Sequence, residues 1–208
     1  SIDLKLKEVN NNFIIYGFDQ NIDSLEYSLK NQIIDKRFNP DSLIDFDYIF
    51  LATPVESIKK QLKIILDKIS KQTLVIDLGS TKYQICNSVK THDKRANFLA
   101  AHPIAGTELS GPVAAHKDLF TNKVMILCET ENTNSSLLLS AIEIFQKLGM
   151  KIKRMDSLEH DKHIAYVSHL SHISSFMLGK TVMDKEDDQQ TIYDMAGSGF
   201  ESTVRLAK

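Results

Sequence analysis

The sequence predicts an α/β protein: a doubly wound, largely parallel sheet followed by the start of an all-helical region. Three observations carry that reading. Up to about Lys153, short apolar runs alternate with amphipathic stretches, as in stacked βαβ units. Beyond Asp156 no further strand pattern occurs, and 157–183 holds neither a proline nor an early glycine. Third, the stretch His102-Pro-Ile-Ala-Gly-Thr-Glu-Leu-Ser-Gly111 places an imidazole, a carboxylate and two glycines in one non-helical turn after an apolar run.

In chain order, residues 1–10, with Ile2, Leu4, Leu6 and Val9, read as a helix. Strands are predicted at 13–18, 48–52, 74–77, 98–101, 124–128 and 151–153. Between the second and third, Val55, Ile58, Leu62, Ile65, Leu66 and Ile69 recur at helical spacing, so this helix covers one side of the sheet. Residues 135–148 form a second crossover helix, started by the Asn132-Thr-Asn-Ser135 turn and stopped by Gly149. Pro103 is expected to end the strand at 98–101 by removing a donor, and Gly106 and Gly111 to adopt backbone closed to other residues. The run 157–183 reads as one long helix. In it Ala165, Ser168, Ser171 and Ser174 or Ser175 form a small-residue ridge, and Ile164, Val167, Ile173 and Met177 supply helix-on-helix packing. The acidic patch 184–188 is a solvated connector, followed by a shorter helix and a Gly197-Ser-Gly199 turn.

Bulk composition narrows the function classes. At 208 residues the chain buries a real core, and its net charge of −2, from 25 basic and 27 acidic residues, leaves no footprint for nucleic acid or an anionic membrane. Cys86 and Cys128 have neither metal-ligand nor disulfide-framework spacing and are read as packing residues in a reducing compartment. No apolar run approaches the roughly 18–20 residues that span a bilayer, and no leader opens the chain, so a soluble cytoplasmic protein is expected.

The chemistry concentrates at strand ends. Open α/β sheets bind ligands at the carboxyl edge of their strands, where His102 is placed, although a structural histidine in a tight loop would show the same spacing. Asp19 closes the first strand, where a carboxylate accepts hydrogen bonds from an adenosine ribose and so favours NAD over NADP. The Gly-x-Gly-x-x-Gly fingerprint that precedes such an acid does not occur ahead of it, and 1–10 reads as the helix that comes after that loop. Thr53 and Pro54 open the next helix, where free amides suit a cofactor's ribose or phosphate and where Thr53 equally suits a plain cap. Ser80 and Thr81, in Ile76-Asp-Leu-Gly-Ser-Thr-Lys82, repeat that geometry.

The motifs Leu51-Ala-Thr-Pro54, Asp77-Leu-Gly-Ser-Thr-Lys82, His102–Gly111 and His160-Asp161 together with Ser168-His-Leu-Ser-His172 resemble the prephenate dehydrogenase family of tyrosine biosynthesis. The resemblance covers nearly the whole chain. It implies a Rossmann-type NAD domain at 1–154 and part of a helical, dimer-forming domain at 155–208. The implied enzyme is a homodimer that oxidatively decarboxylates prephenate to 4-hydroxyphenylpyruvate. By the same resemblance His102 hydrogen-bonds the ring hydroxyl, Ser80 positions that histidine and the nicotinamide end, and Glu108 gates the pocket within a loop that includes Gly106 and Thr107. His172, one turn after His169, lies in the substrate pocket, and Arg205 clamps a carboxylate with its bidentate fork. The first strand, the phosphate loop and the helices after Arg205 that complete the family pattern are missing from these 208 residues, so a piece of a longer fold is expected.

Rival readings are arogenate dehydrogenase, a non-catalytic remnant of the fold, and a β-hydroxyacid dehydrogenase. The last predicts a lysine where Ser168-His-Leu-Ser-His172 stands. Metal ligation by His160/His163 with His169/His172 is disfavoured, because at about 100° per residue the two pairs fall on roughly opposite faces of one helix.

Overall fold

In a computed structural model the chain is described over residues 1–10, 12–40, 45–106, 111–184 and 203. It divides into two compact units, Ser1–His160 and Asp161–Lys208. The first unit opens with α1 (Ile2–Val9), whose buried Ile2 and Leu6, four residues apart, share one face. Next comes a two-stranded parallel sheet of β1 (Tyr16–Gly17) and β2 (Lys36–Arg37), joined by α2 (Ile22–Lys30). The Asn21 side chain caps α2 by accepting from Ser24 N–H at 3.1 Å. β2 has no counterpart among the predicted strands, because two exposed basic residues carry no apolar signal.

The main sheet has five strands in the order β3 (Tyr48–Leu51), β4 (Leu74–Asp77), β5 (Phe98–Ile104), β6 (Val124–Cys128) and β7 (Lys151–Met155). Neighbours are parallel except β5 and β6. Among the described residues between those two strands only short 3₁₀ turns occur, so no crossover helix carries the chain back and β6 returns antiparallel. Side chains alternate across the sheet. Leu74, Ile76, Leu99, Met125 and Leu127 enter one core layer with Ile2, Leu6 and Phe145 of α5 (Ser135–Lys147), while Val75, Phe98 and Ala100 enter the other with α3 (Val55–Lys68). On α3 Ile58, Leu62 and Leu66, spaced four apart, are completely buried. Cys86, on α4 (Tyr83–Ser88), and Cys128 belong to that second layer, and burial pushes the Cys86 thiol well above its usual range.

Three expectations need correction. Pro103 does not end its strand: β5 runs on to Ile104 beside β6, while β4 accompanies it only to Ala100. Past that point one side of β5 carries no ladder among the described residues, so the donor that Pro103 lacks breaks no pairing there. Gly111, at φ +77°, does occupy the left-handed region, as does the helix-stop Gly149 at +81°, but Gly106 does not, and nothing lies within 4 Å of where its Cβ would stand. Finally, the run 157–183 is helical but not uniform. A π turn, 165–169, separates α6 (Ser157–Ile164) from α7 (Leu170–Met183). Its extra residue shifts the helical phase by roughly 100°, so a wheel drawn at constant pitch misplaces the residues of α7. Of the expected packing residues Ile164 is buried, whereas Val167, Ile173 and Met177 are exposed; on the small-residue ridge Ser175 is buried, Ser168 half-buried, and Ala165, Ser171 and Ser174 exposed. The Gly197-Ser-Gly199 turn and residues 185–188 of the connector lie outside the described residues.

Asp35 ties α1 to the small sheet: one carboxylate oxygen meets Lys7 Nζ at 2.7 Å and the other accepts from Ile15 N–H at 2.8 Å. Burial alone would raise its pKa, but Lys7 and the Ile15 amide outweigh that and hold the carboxyl below its usual range. A depressed carboxylate stabilises the fold above the unfolded-state pKa, and that contribution disappears as pH falls through the folded value. Asp35→Asn is therefore expected to cost no more than about 1 kcal/mol at neutral pH, since the pair is partly open to solvent, and nothing at the acid end, as read from urea midpoints across pH. Leu62→Ala, at the centre of the α3 face, should cost about 2–5 kcal/mol in the same assay.

Candidate active site

The register of the parallel strands sets the site. Leu51 of β3 pairs with Asp77 of β4, and Asp77 pairs with Ala100 of β5. Thr53, Ser80 and His102, each two or three residues further along its chain, therefore stand on one edge of the sheet. Thr53, Pro54 and Ser80 are exposed and His102 is half-buried. Pro54 is the cap residue of α3, and its carbonyl accepts from Ser57 and Ile58 N–H at 2.8 and 3.0 Å. The chain thus turns from strand into helix within three residues, leaving the helix's positive end at the edge.

Beneath that edge lies an ion pair between Asp77 and Lys82, both wholly inaccessible to solvent. Asp77 Oδ1 also accepts from Gly79 N–H at 2.9 Å, and Lys82 Nζ donates to the Ala101 carbonyl at 2.8 Å. The pair closes the 78–82 turn and fastens it to the peptide that precedes His102. Gly79 fits closely: a Cβ there would stand 3.1 Å from Asp77 Oδ1 and 3.2 Å from Ile58 Cδ1, so a larger residue would have to push both aside by a few tenths of an ångström. Asp77 and Lys82 lie inside a motif the sequence singles out, yet neither draws a role from it, because a lysine five residues after an aspartate reads as surface charge.

A second feature invisible in the sequence is a contact of His102 with another histidine. His102 Nδ1 lies 2.9 Å from His160 Nε2, with the rings edge-on at a centroid distance of 5.1 Å. His160 is fully buried in the first turn of α6. That turn is fixed by Asp156, whose Oδ1 accepts from Leu158 and Glu159 N–H at 2.9 Å each, and by Ser157 Oγ donating to Glu129 Oε1 at 2.5 Å.

Asp19 lies just past β1 on the two-stranded sheet. It is exposed, and its Oδ1 accepts from Asn21 N–H at 2.8 Å, setting up the cap of α2. Gly106 is exposed. His172 is an exposed residue of α7 in the second unit, and His169 belongs by its backbone to the π turn. Thr107, Glu108 and Arg205 lie outside the described residues, as does the side chain of His169. Among the described residues no three His, Cys, Asp or Glu side chains cluster as a metal site would need.

Comparison with known proteins agrees with this architecture. Residues 2–154 match the model of the prephenate dehydrogenase nucleotide-binding domain, and 156–208 that of the prephenate dehydrogenase dimerization domain. The chain belongs to the prephenate dehydrogenase family. It is 30% identical to a prephenate dehydrogenase of Lactococcus lactis, over all of this chain and 58% of that one. It superposes on prephenate dehydrogenase of Aquifex aeolicus, solved with hydroxyphenyl propionate and NAD+, with a TM-score of 0.85 and 27% identity, covering 99% of this chain and 73% of that one. Arogenate dehydrogenase of Synechocystis gives 0.77 and 26%, over 100% and 74%. The chain spans 57–58% of the length of the curated relatives it matches. The family fold is Rossmann-like α/β with a helical carboxyl-terminal domain, and no described helix is long and apolar enough to cross a membrane.

Removing one member of a buried ion pair strands the other charge, whereas replacing both with apolar groups does not. Lys82→Met is thus expected to lose about 3–5 kcal/mol of stability, and adding Asp77→Val to recover most of it, both measured by chemical denaturation.

Proposed function

We propose that this chain carries the catalytic edge of an NAD-dependent prephenate dehydrogenase, which converts prephenate to 4-hydroxyphenylpyruvate, carbon dioxide and NADH. The observation that carries this reading is the alignment of Thr53, Ser80 and His102 at the carboxyl edge of three adjacent parallel strands. The residues present suit the cofactor. Asp19 offers an exposed carboxylate just past a strand for ribose hydroxyls, and Thr53 and Pro54 open a helix whose amino end favours an anion. A carboxylate at Asp19 would repel a 2′-phosphate, which favours NAD over NADP. Bound NAD supplies the hydride acceptor.

His102 takes the proton of the ring hydroxyl and returns it to the same oxygen once the carboxylate has left and the ring is aromatic. Ser80 orients that hydroxyl and the histidine. In the same reading Gly106, Thr107 and Glu108 border the substrate, and His169, His172 and Arg205 bind it, Arg205 through a carboxylate. We place the nucleotide-binding domain at 1–154 and, with a family model that is itself a dimerization domain, a homodimer contact within 155–208. The likeness to an arogenate dehydrogenase supports a second reading in which the substrate side chain bears an amine.

NADH formation with prephenate or arogenate, by the 208-residue chain and by any longer product of its gene, tests both readings. Turnover of prephenate in preference to arogenate supports the first, the reverse preference supports the second, and silence with both substrates in a folded protein that binds NAD overturns the enzyme reading. In the active form His102→Asn should lower kcat at least about 100-fold while leaving KM within a few-fold, because its contact strengthens as the hydroxyl loses its proton.

A further inference from the structure

His102 and His160 meet through two ring nitrogens, Nδ1 of the first and Nε2 of the second, at 2.9 Å. With both rings neutral, such a contact holds one hydrogen, and which ring owns it decides what His102 does. If His160 Nε2 carries it, His102 Nδ1 is the acceptor, so the neutral His102 ring bears its hydrogen on Nε2 and has no basic nitrogen left for a substrate proton. If His102 Nδ1 carries it, His102 Nε2 bears no hydrogen and is basic. Of the two rings only His102 reaches the sheet edge with partial exposure, while His160 is sealed in the first turn of α6 behind the Asp156 and Ser157 anchors. A buried ring on a turn fixed in this way is suited to impose an orientation on its neighbour.

We propose that His160 is a positioning residue that accepts the Nδ1 hydrogen of His102, locking His102 in the tautomer whose Nε2 can take a proton. The inference rests on the base role given to His102 under Proposed function. It adds a consequence: when His102 becomes an imidazolium, its Nδ1–H bond to His160 becomes charge-assisted and about twice as strong. The contact therefore tightens as the proton moves, and its loss should fall on kcat rather than on KM.

The tautomer is read from long-range ¹⁵N–¹H spectra of histidine-labelled protein at a pH where the rings are neutral, with the His102 signals identified by their absence in His102→Asn. Wild type is expected to show His102 protonated at Nδ1. His160→Gln, which keeps an acceptor, should retain that state. His160→Leu should revert to the Nε2–H form that an unconstrained histidine prefers, with kcat reduced roughly tenfold or more, KM little changed, and most of the loss restored by glutamine. An Nε2–H His102 in wild type, or an Nδ1–H His102 that persists in His160→Leu, overturns the proposal. If the leucine variant fails to fold, the wild-type and glutamine spectra still decide it. Because the tautomer is read without turnover, an inactive protein would count against the enzyme reading, while the spectrum judges the positioning by itself.

Discussion

Asp77, at the end of β4, and Lys82, at the end of the turn that follows, are shut away from water, and the sheet edge that carries Thr53, Ser80 and His102 is built over them. Taking two charges out of solvent costs several kcal/mol per ion, and their attraction offsets this only when the remaining donors and acceptors are also met. Here Gly79 N–H and the Ala101 carbonyl supply two of those partners. The ion pair thus does more than neutralise itself. It sets the direction in which β4 leaves the sheet, turns Ser80 outward, and pins β5 at the peptide bond before His102. A sheet edge held only by apolar packing would fix the strands but not the turn by which β4 enters α4.

The second layer of organisation comes from the far end of the first unit. Glu129, just past β6, accepts from Ser157, and Asp156 caps the helix that Ser157 begins. Two residues that look like ordinary loop polarity therefore decide where α6 starts, and with it the height at which His160 meets His102. The contact between the two histidines is an agreement between two distant helix and strand termini, each stabilised by its own local hydrogen bonds.

How much of this can be read from the chain depends on how local the signal is. Strands such as Leu74–Asp77 and Val124–Cys128, and the helix Val55–Lys68, announce themselves because burial on a sheet or a helix imposes a period on neighbouring residues. The placement of Thr53, Ser80 and His102 on one edge is legible too, since parallel strands bring their carboxyl ends to the same side whatever lies between. Lys36–Arg37 escapes because a two-residue exposed strand has no period to show. The buried state of Lys82 and the contact between His102 and His160, 58 residues apart, escape because each depends on the finished packing. Pro103 misleads for a related reason: whether a missing donor matters depends on which side of the strand still has a neighbour.

The π turn at 165–169 carries a consequence for how the helical region comes apart. A widened turn interrupts the regular ladder of i to i−4 bonds, so opening on one side need not propagate to the other. Residues 157–164 and 170–183 should then exchange their amide hydrogens as two cooperative blocks with distinct opening free energies. The protein can loosen the segment that bears His172 while the turn that holds His160 stays closed.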